Sequence, residues 1–181
     1  EMYSAEYRIS GISSTLANIS VKYYHQVIVR DAEVLLPAAR LLPYADHFND
    51  GVTVTSNWLM AENHRLVLGV DAWQREMDSR RQRILNAKKD SVIHERPVPL
   101  SKFRSGGIFF QNEIDNITPN LDLAVGGRFD LINVTNDPSN NPDFVVWKGV
   151  LMPNPPGQKP LWPAKDETNN SWSLNLAALY R

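Results

Sequence analysis

The chain of 181 residues contains no cysteine, which excludes disulfide frameworks, thiolate metal sites and thiol nucleophiles. It has no surplus of either charge: 19 basic residues against 20 acidic ones leave a net charge of −1. That balance gives no bulk electrostatic case for a nucleic-acid partner. Long apolar runs are missing too, and none approaches the ~18 residues that a membrane helix needs. Only helical spans are excluded by this, because strands of a membrane barrel give a far weaker hydropathy signal. No H-E-x-x-H, G-x-S-x-G, phosphate-loop or G-x-G-x-x-G pattern occurs. His25, His47, His64 and His94 are scattered without metal-ligand spacing, and His25 falls on an otherwise apolar face, which favours a structural or interfacial role. No catalytic residue, metal or cofactor is therefore expected, and the chain is not read as an enzyme.

What is present is alternation. Residues 102–134 read as two long strands joined by a turn at 116–120. In the second, Leu121, Leu123, Val125, Phe129 and Leu131 fall on one face, and Asp122, Ala124, Gly126, Arg128 and Asp130 on the other. A period of two is a strand signal, since successive side chains point to opposite faces. The first strand sets Ile108, Phe110 and Ile114 against Gly107, Gln111 and Glu113, with Phe109 as an exception. Similar alternation covers 3–11, 16–30, 50–60, 64–76 and 171–181, and Tyr24 is again an aromatic on a polar side. Strands of such length exceed the soluble norm of about 5–6 residues. They match the roughly 9–11 that a tilted strand needs to cross a bilayer.

The connections alternate as well. Short turns at 13–15, 61–63 and 116–120 separate long stretches at 31–49, 77–100 and 135–170. Pro37 and Pro43 argue against a central strand in the first long stretch. The third is rich in Asn and Pro, with a short strand possible only at 144–147. The expected fold is all-β: an antiparallel up-and-down meander of about seven long strands, forming part of a transmembrane barrel with short turns at one end and long loops at the other. Tyr3, Tyr23, Trp58, Trp172 and Tyr180 fall on apolar faces near strand ends, as interfacial girdles require. A soluble sandwich or barrel acting as a binding or adhesion module is the alternative, because it too needs one apolar and one polar face. A passive porin is the third reading. Strand-like sequence at both termini, Glu1-Met2 and Tyr180-Arg181, leads to the expectation that residues 1–181 are one segment of a longer barrel domain.

Three stretches carry a family resemblance. LVLGVDAWQREMDSRR (66–81), SGGIFFQNEI (105–114) and LDLAVGGRFD (121–130) resemble consecutive barrel segments of TonB-dependent outer-membrane receptors. The closing SWSLNLAALYR is similar to the next descending strand of such receptors. No TonB box, plug domain or C-terminal aromatic strand accompanies them. The resemblance implies a Gram-negative outer-membrane location and uptake of a metal chelate or metal ion: ferric siderophore, haem or cobalamin. It also implies contact with lipid and lipopolysaccharide, with a plug domain of the parent chain, and through that chain with TonB. On this reading Arg65, Asp71, Gln111, Glu113, Arg128 and Asp130 face the lumen. Arg75, Arg80, Arg81 and Arg83, in the basic stretch 75–96, are the candidates for capturing an anionic ligand, since guanidinium geometry suits carboxylate and phosphate.

Overall fold

The computed structural model describes residues 1–180, apart from the side chain of Lys89. Arg181, expected on the polar side of the last strand, lies outside the described residues. Every regular element among them is a strand: β1 (Met2–Ser10), β2 (Leu16–Asp31), β3 (Val34–Leu35), β4 (Ala39–Ala61), β5 (His64–Leu85), β6 (Lys88–Glu95), β7 (Ser101–Thr118), β8 (Leu121–Asn136), β9 (Ser139–Asn141), β10 (Phe144–Trp147), β11 (Val150–Met152), β12 (Lys159–Trp162) and β13 (Lys165–Tyr180).

Seven long strands pair antiparallel in the order β1-β2-β4-β5-β7-β8-β13. This is the meander that the alternation predicts. The sheet is open, with β1 and β13 as its outer long strands. Its register aligns the apolar sets across all seven. Tyr7, Val21, Val54, Val70, Ile108, Phe129 and Trp172 form one continuous row. The next row toward the short turns runs Ile9, Ile19, Ser56, Leu68, Phe110, Gly127 and Leu174. A slip of one residue on any strand would turn its whole apolar set to the other side, so the pattern itself fixes the pairing.

The apolar face covers nothing. Trp172, Leu174 and Leu176 are 71%, 72% and 73% exposed, and Ala39 is the one buried hydrophobic residue among those described. A soluble sandwich packs two sheets over a core; here a single large sheet leaves its apolar side open. The opposite face resolves the two aromatic exceptions. Tyr24 lies over Gly51 and Phe109 over Gly69, each ring filling the space a Cβ would take, at 2.3 and 2.1 Å. Aromatic cover of a bare glycine on the adjacent strand is a recognised way to pin register.

Two of the three long stretches prove to be strand extensions. Instead of an irregular 31–49, β4 begins at Ala39 and runs 23 residues. Pro43 is accommodated because β2 ends at Asp31, opposite Tyr44. Its carbonyl still accepts from the Ala32 N–H at 3.1 Å, so only the missing Pro N–H lacks a partner, where the neighbouring strand has run out. Likewise 77–100 is no loop. β5 continues to Leu85, turns, and pairs with β6, which occupies the lane that β7 takes lower down. Pro97 and Pro99 lie in the jog between β6 and β7. The third stretch also builds strands: β10 adds to β6, and β10 and β11 meet in a two-residue turn at Lys148-Gly149, both with positive φ (50° and 79°). That is the type I′ geometry suited to a hairpin. Trp162 donates its indole N–H to the Pro97 carbonyl at 3.0 Å and ties this insertion to the jog.

Candidate functional site

The six residues expected to face a lumen share the polar face, and the structure brings them into two ion clusters. Near the short-turn end, Arg65 on β5 pairs with Glu113 and Asp115 on β7, both at 3.2 Å. Gln111 donates to Glu113 at 2.6 Å. Higher up, Arg128 on β8 reaches across β7 to Asp71 on β5, with Nη1–Oδ2 at 2.6 Å and Nη2–Oδ1 at 3.0 Å. The same guanidinium bonds Asp130 through Nε at 2.8 Å and Nη2 at 2.5 Å. This reach is possible because the strand in between presents Gly107, whose Cβ would stand 2.4 Å from Asp130 Oδ1 and 2.7 Å from Arg128 Nη2. The guanidinium also sits 5.7 Å from the Phe109 ring centroid, a cation–π distance. The result is a half-buried patch of the polar face with one positive and two negative charges.

The four arginines expected to act together are divided by the strand period. Arg75, Arg81 and Arg83 are odd positions of β5 and lie on the polar face with Asp71. Arg80 is even and projects to the side that carries Leu68 and Val70. Arg75 stands apart from the others, six residues below Arg81 on β5, donating to Asn49 Oδ1 at 2.7 Å beside the stacked Trp73–Phe103 pair. Arg81 and Arg83 share Glu95 of β6, at 2.7 and 2.9 Å. Glu95 is only 5% exposed. Two guanidiniums on one carboxylate leave one surplus positive charge, and Arg83 Nε is buried without a partner. This pair is the part of the arginine set best built to meet an anion. Asn49 and Glu95, which hold these arginines, carry no mark in the sequence beyond their registers.

Arg80 is held instead by Asp78, which also receives Arg96 at 3.0 Å. The Arg80 hydrogen bond, against the opposing effect of burial and with help from the Arg96 charge, holds the Asp78 carboxyl below its ordinary 3.8. Burial against Phe144, with rings 4.1 Å apart, pushes His94 below 6.5, partly offset by Asp143. Both folded-state values are depressed, so both groups bind protons more readily when unfolded, and each contribution is lost as pH falls. The β5–β6–β10 extension is expected to weaken in two steps on acidification. The first comes below pH 6.5 as His94 is forced to charge, and the second below pH 3.8 as Asp78 loses its arginines. Nuclear magnetic resonance titration of the His94 ring, read with amide protection of β6, checks the order of the steps.

No family model and no curated protein sequence matches the chain. Solved structures do. The copper transporter OprC superposes with a TM-score of 0.70 at 15% identity, covering 98% of this chain and 28% of the transporter chain. The ferric citrate transporter FecA, in its unliganded form, gives a TM-score of 0.70 at 13% identity, covering 99% of this chain and 24% of its own. The chain thus spans about a quarter of the length of each. At these identities the likeness is one of fold: an antiparallel β-meander of the kind found in transporter barrels.

Proposed function

We propose that the chain forms part of the wall of a TonB-dependent active transporter in a Gram-negative outer membrane, taking up a metal chelate or metal ion. One observation carries the reading: a predominantly apolar face across seven strands, opposite a face of ion pairs. On β8 the band runs from Leu121 to Leu131. At about 3.4 Å per residue and a tilt of about 40°, those positions span roughly 26 Å, matching the ~25 Å lipid-facing band of outer-membrane barrels. The fold likeness to copper and ferric citrate transporters supports the same reading. In it the Arg65 and Arg128 clusters line the lumen, against a plug or water. Arg81 and Arg83 stand above them on the same side, where an anionic chelate would arrive. The plug and the TonB contact lie in the rest of the protein.

Spin labels at Val21, Leu68, Val125 and Leu176, introduced one at a time into the bilayer-reconstituted protein, test the orientation. Oxygen, which concentrates in lipid, is expected to relax all four, and a water-soluble nickel chelate none. Labels at Arg65, Asp71 and Gln111 are expected to respond in the opposite sense. Water accessibility at the first four positions would sink the reading.

A further inference from the structure

We propose that the outward face carries a saccharide site, built above the apolar band and fitted to the sugar chain of a surface glycolipid. The inference rests on the transmembrane reading given above. A cleft of about 520 Å³ opens there between the end of β2 and the β6–β10 pair, with Asp31, Tyr44, Arg80, Gln82, His94 and Phe144 in its walls. Tyr44, Arg80 and Gln82 are even positions of β4 and β5, so they share the side of Val54 and Val70.

Height selects the ligand. Arg80 lies eight residues beyond Ala72, where the continuous apolar run of that face on β5 ends. At about 3.4 Å per residue and a tilt of about 40°, this is roughly 20 Å above the band. Headgroups add only about 5–8 Å to each side of a bilayer's hydrocarbon core. Lipid phosphates therefore end well below the cleft, and what reaches it from the membrane is a chain of sugars.

Charge selects in the same direction. On this side of the sheet the guanidiniums of Arg80 and Arg96 share the Asp78 carboxylate, with Asp31 also in the wall, while the side chains of Arg81 and Glu95 project to the opposite face. Arg80 and Arg96 are already bonded to Asp78, so a phosphate would have to displace that partner. A polyhydroxyl ligand needs no such exchange, since paired carboxylates and guanidiniums keep free lone pairs and N–H groups. The aromatic surfaces fit the C–H faces of sugar rings. Phe144 is stacked on His94 at 4.1 Å, and the exposed Tyr44 is oriented by a 2.5 Å hydrogen bond from its hydroxyl to Asp46 Oδ2. The other oxygen of that carboxylate, Asp46 Oδ1, is buried without a partner.

The test is saturation-transfer magnetic resonance on the protein in detergent micelles, with core oligosaccharide released from lipopolysaccharide as probe, intact and dephosphorylated. Transfer to sugar ring protons is expected from both forms with similar affinity. Tyr44→Ala and Phe144→Ala are each expected to weaken binding by about tenfold, the loss of one stacking surface. Gln82→Ala, a smaller change on the same wall, guards against a folding defect and is also expected to weaken it. Absence of transfer, binding that vanishes on dephosphorylation, or affinity unchanged in all three variants would each overturn the site. Quenching of Trp58 and Trp172 by brominated lipid separates the two readings. Without quenching the membrane assignment fails, and sugar binding that persisted would belong to a soluble glycan, overturning the glycolipid assignment.

Discussion

Replacing Leu68 by arginine is expected to cost about 2–4 kcal/mol of stability in a bilayer, against about 0–1 kcal/mol for Gln74→Arg on the same strand and face. Leu68 lies in the row with Ile19, Phe110 and Leu174, near the middle of the apolar band. Gln74 lies one position beyond Ala72, where the continuous apolar run of that face ends, in a row with Asp50 and Arg104. A guanidinium at the middle row must drag water inward or bend toward an interface, and one at Gln74 is already there. The cost at Leu68 corresponds to a change of roughly 30- to 1,000-fold in the folding equilibrium. Urea titration of folding into lipid vesicles measures it directly. A soluble sheet gives another result: Leu68 is 41% exposed, and an exposed site away from special features tolerates substitution within about 0.5 kcal/mol. A flat profile across Leu68, Ala72 and Gln74 would remove the membrane from the account.

Depth also decides which parts of the fold are legible in the sequence. Alternation appears in sequence only where the two faces of a strand meet different media. Between Leu121 and Leu131 one face is apolar and the other polar, and the strand is plain to read. On the transmembrane reading both faces meet water above the band, so β5 from Met77 to Arg83 shows charge on both sides and reads as a loop. Pro43 added a false boundary, since the rule against proline in central strands holds only where both neighbours are present. The ion pairs were partly legible: Arg128 and Asp130 stand two apart on one face, as their spacing requires. That Asp71 joins them depends on three strand registers and a glycine between, which no local pattern reveals. The grouping of Arg80 with Arg81 and Arg83 fails for the simplest reason, because adjacent residues of a strand point to opposite sides.

That glycine supports the second large effect. Gly107→Val is expected to destabilise the chain by about 1–3 kcal/mol, the usual cost of forcing atoms into filled space. The backbone is extended there and accepts any residue, so the cost comes from the collision with Arg128 and Asp130. Asp71→Asn alone is expected to cost about 1–2 kcal/mol, less than the 3–5 of a fully buried pair because the Arg128 side chain is 35% exposed. Combined, the two changes should be markedly less than additive, since valine at 107 has already parted the guanidinium from Asp71. Urea unfolding of the single and double variants gives the coupling, and full additivity would mean the arginine does not cross the bare strand. The neighbouring glycine supplies the control. A Cβ at Gly106 would meet nothing closer than the Asp71 carbonyl oxygen at 3.9 Å, and it points to the apolar side between Ala72 and Leu131. Gly106→Val is therefore expected to be neutral or stabilising, as a β-branched side chain on an open sheet face should be. Two adjacent glycines of one strand should respond in opposite senses, because only one of them is the gap through which two strands exchange charge.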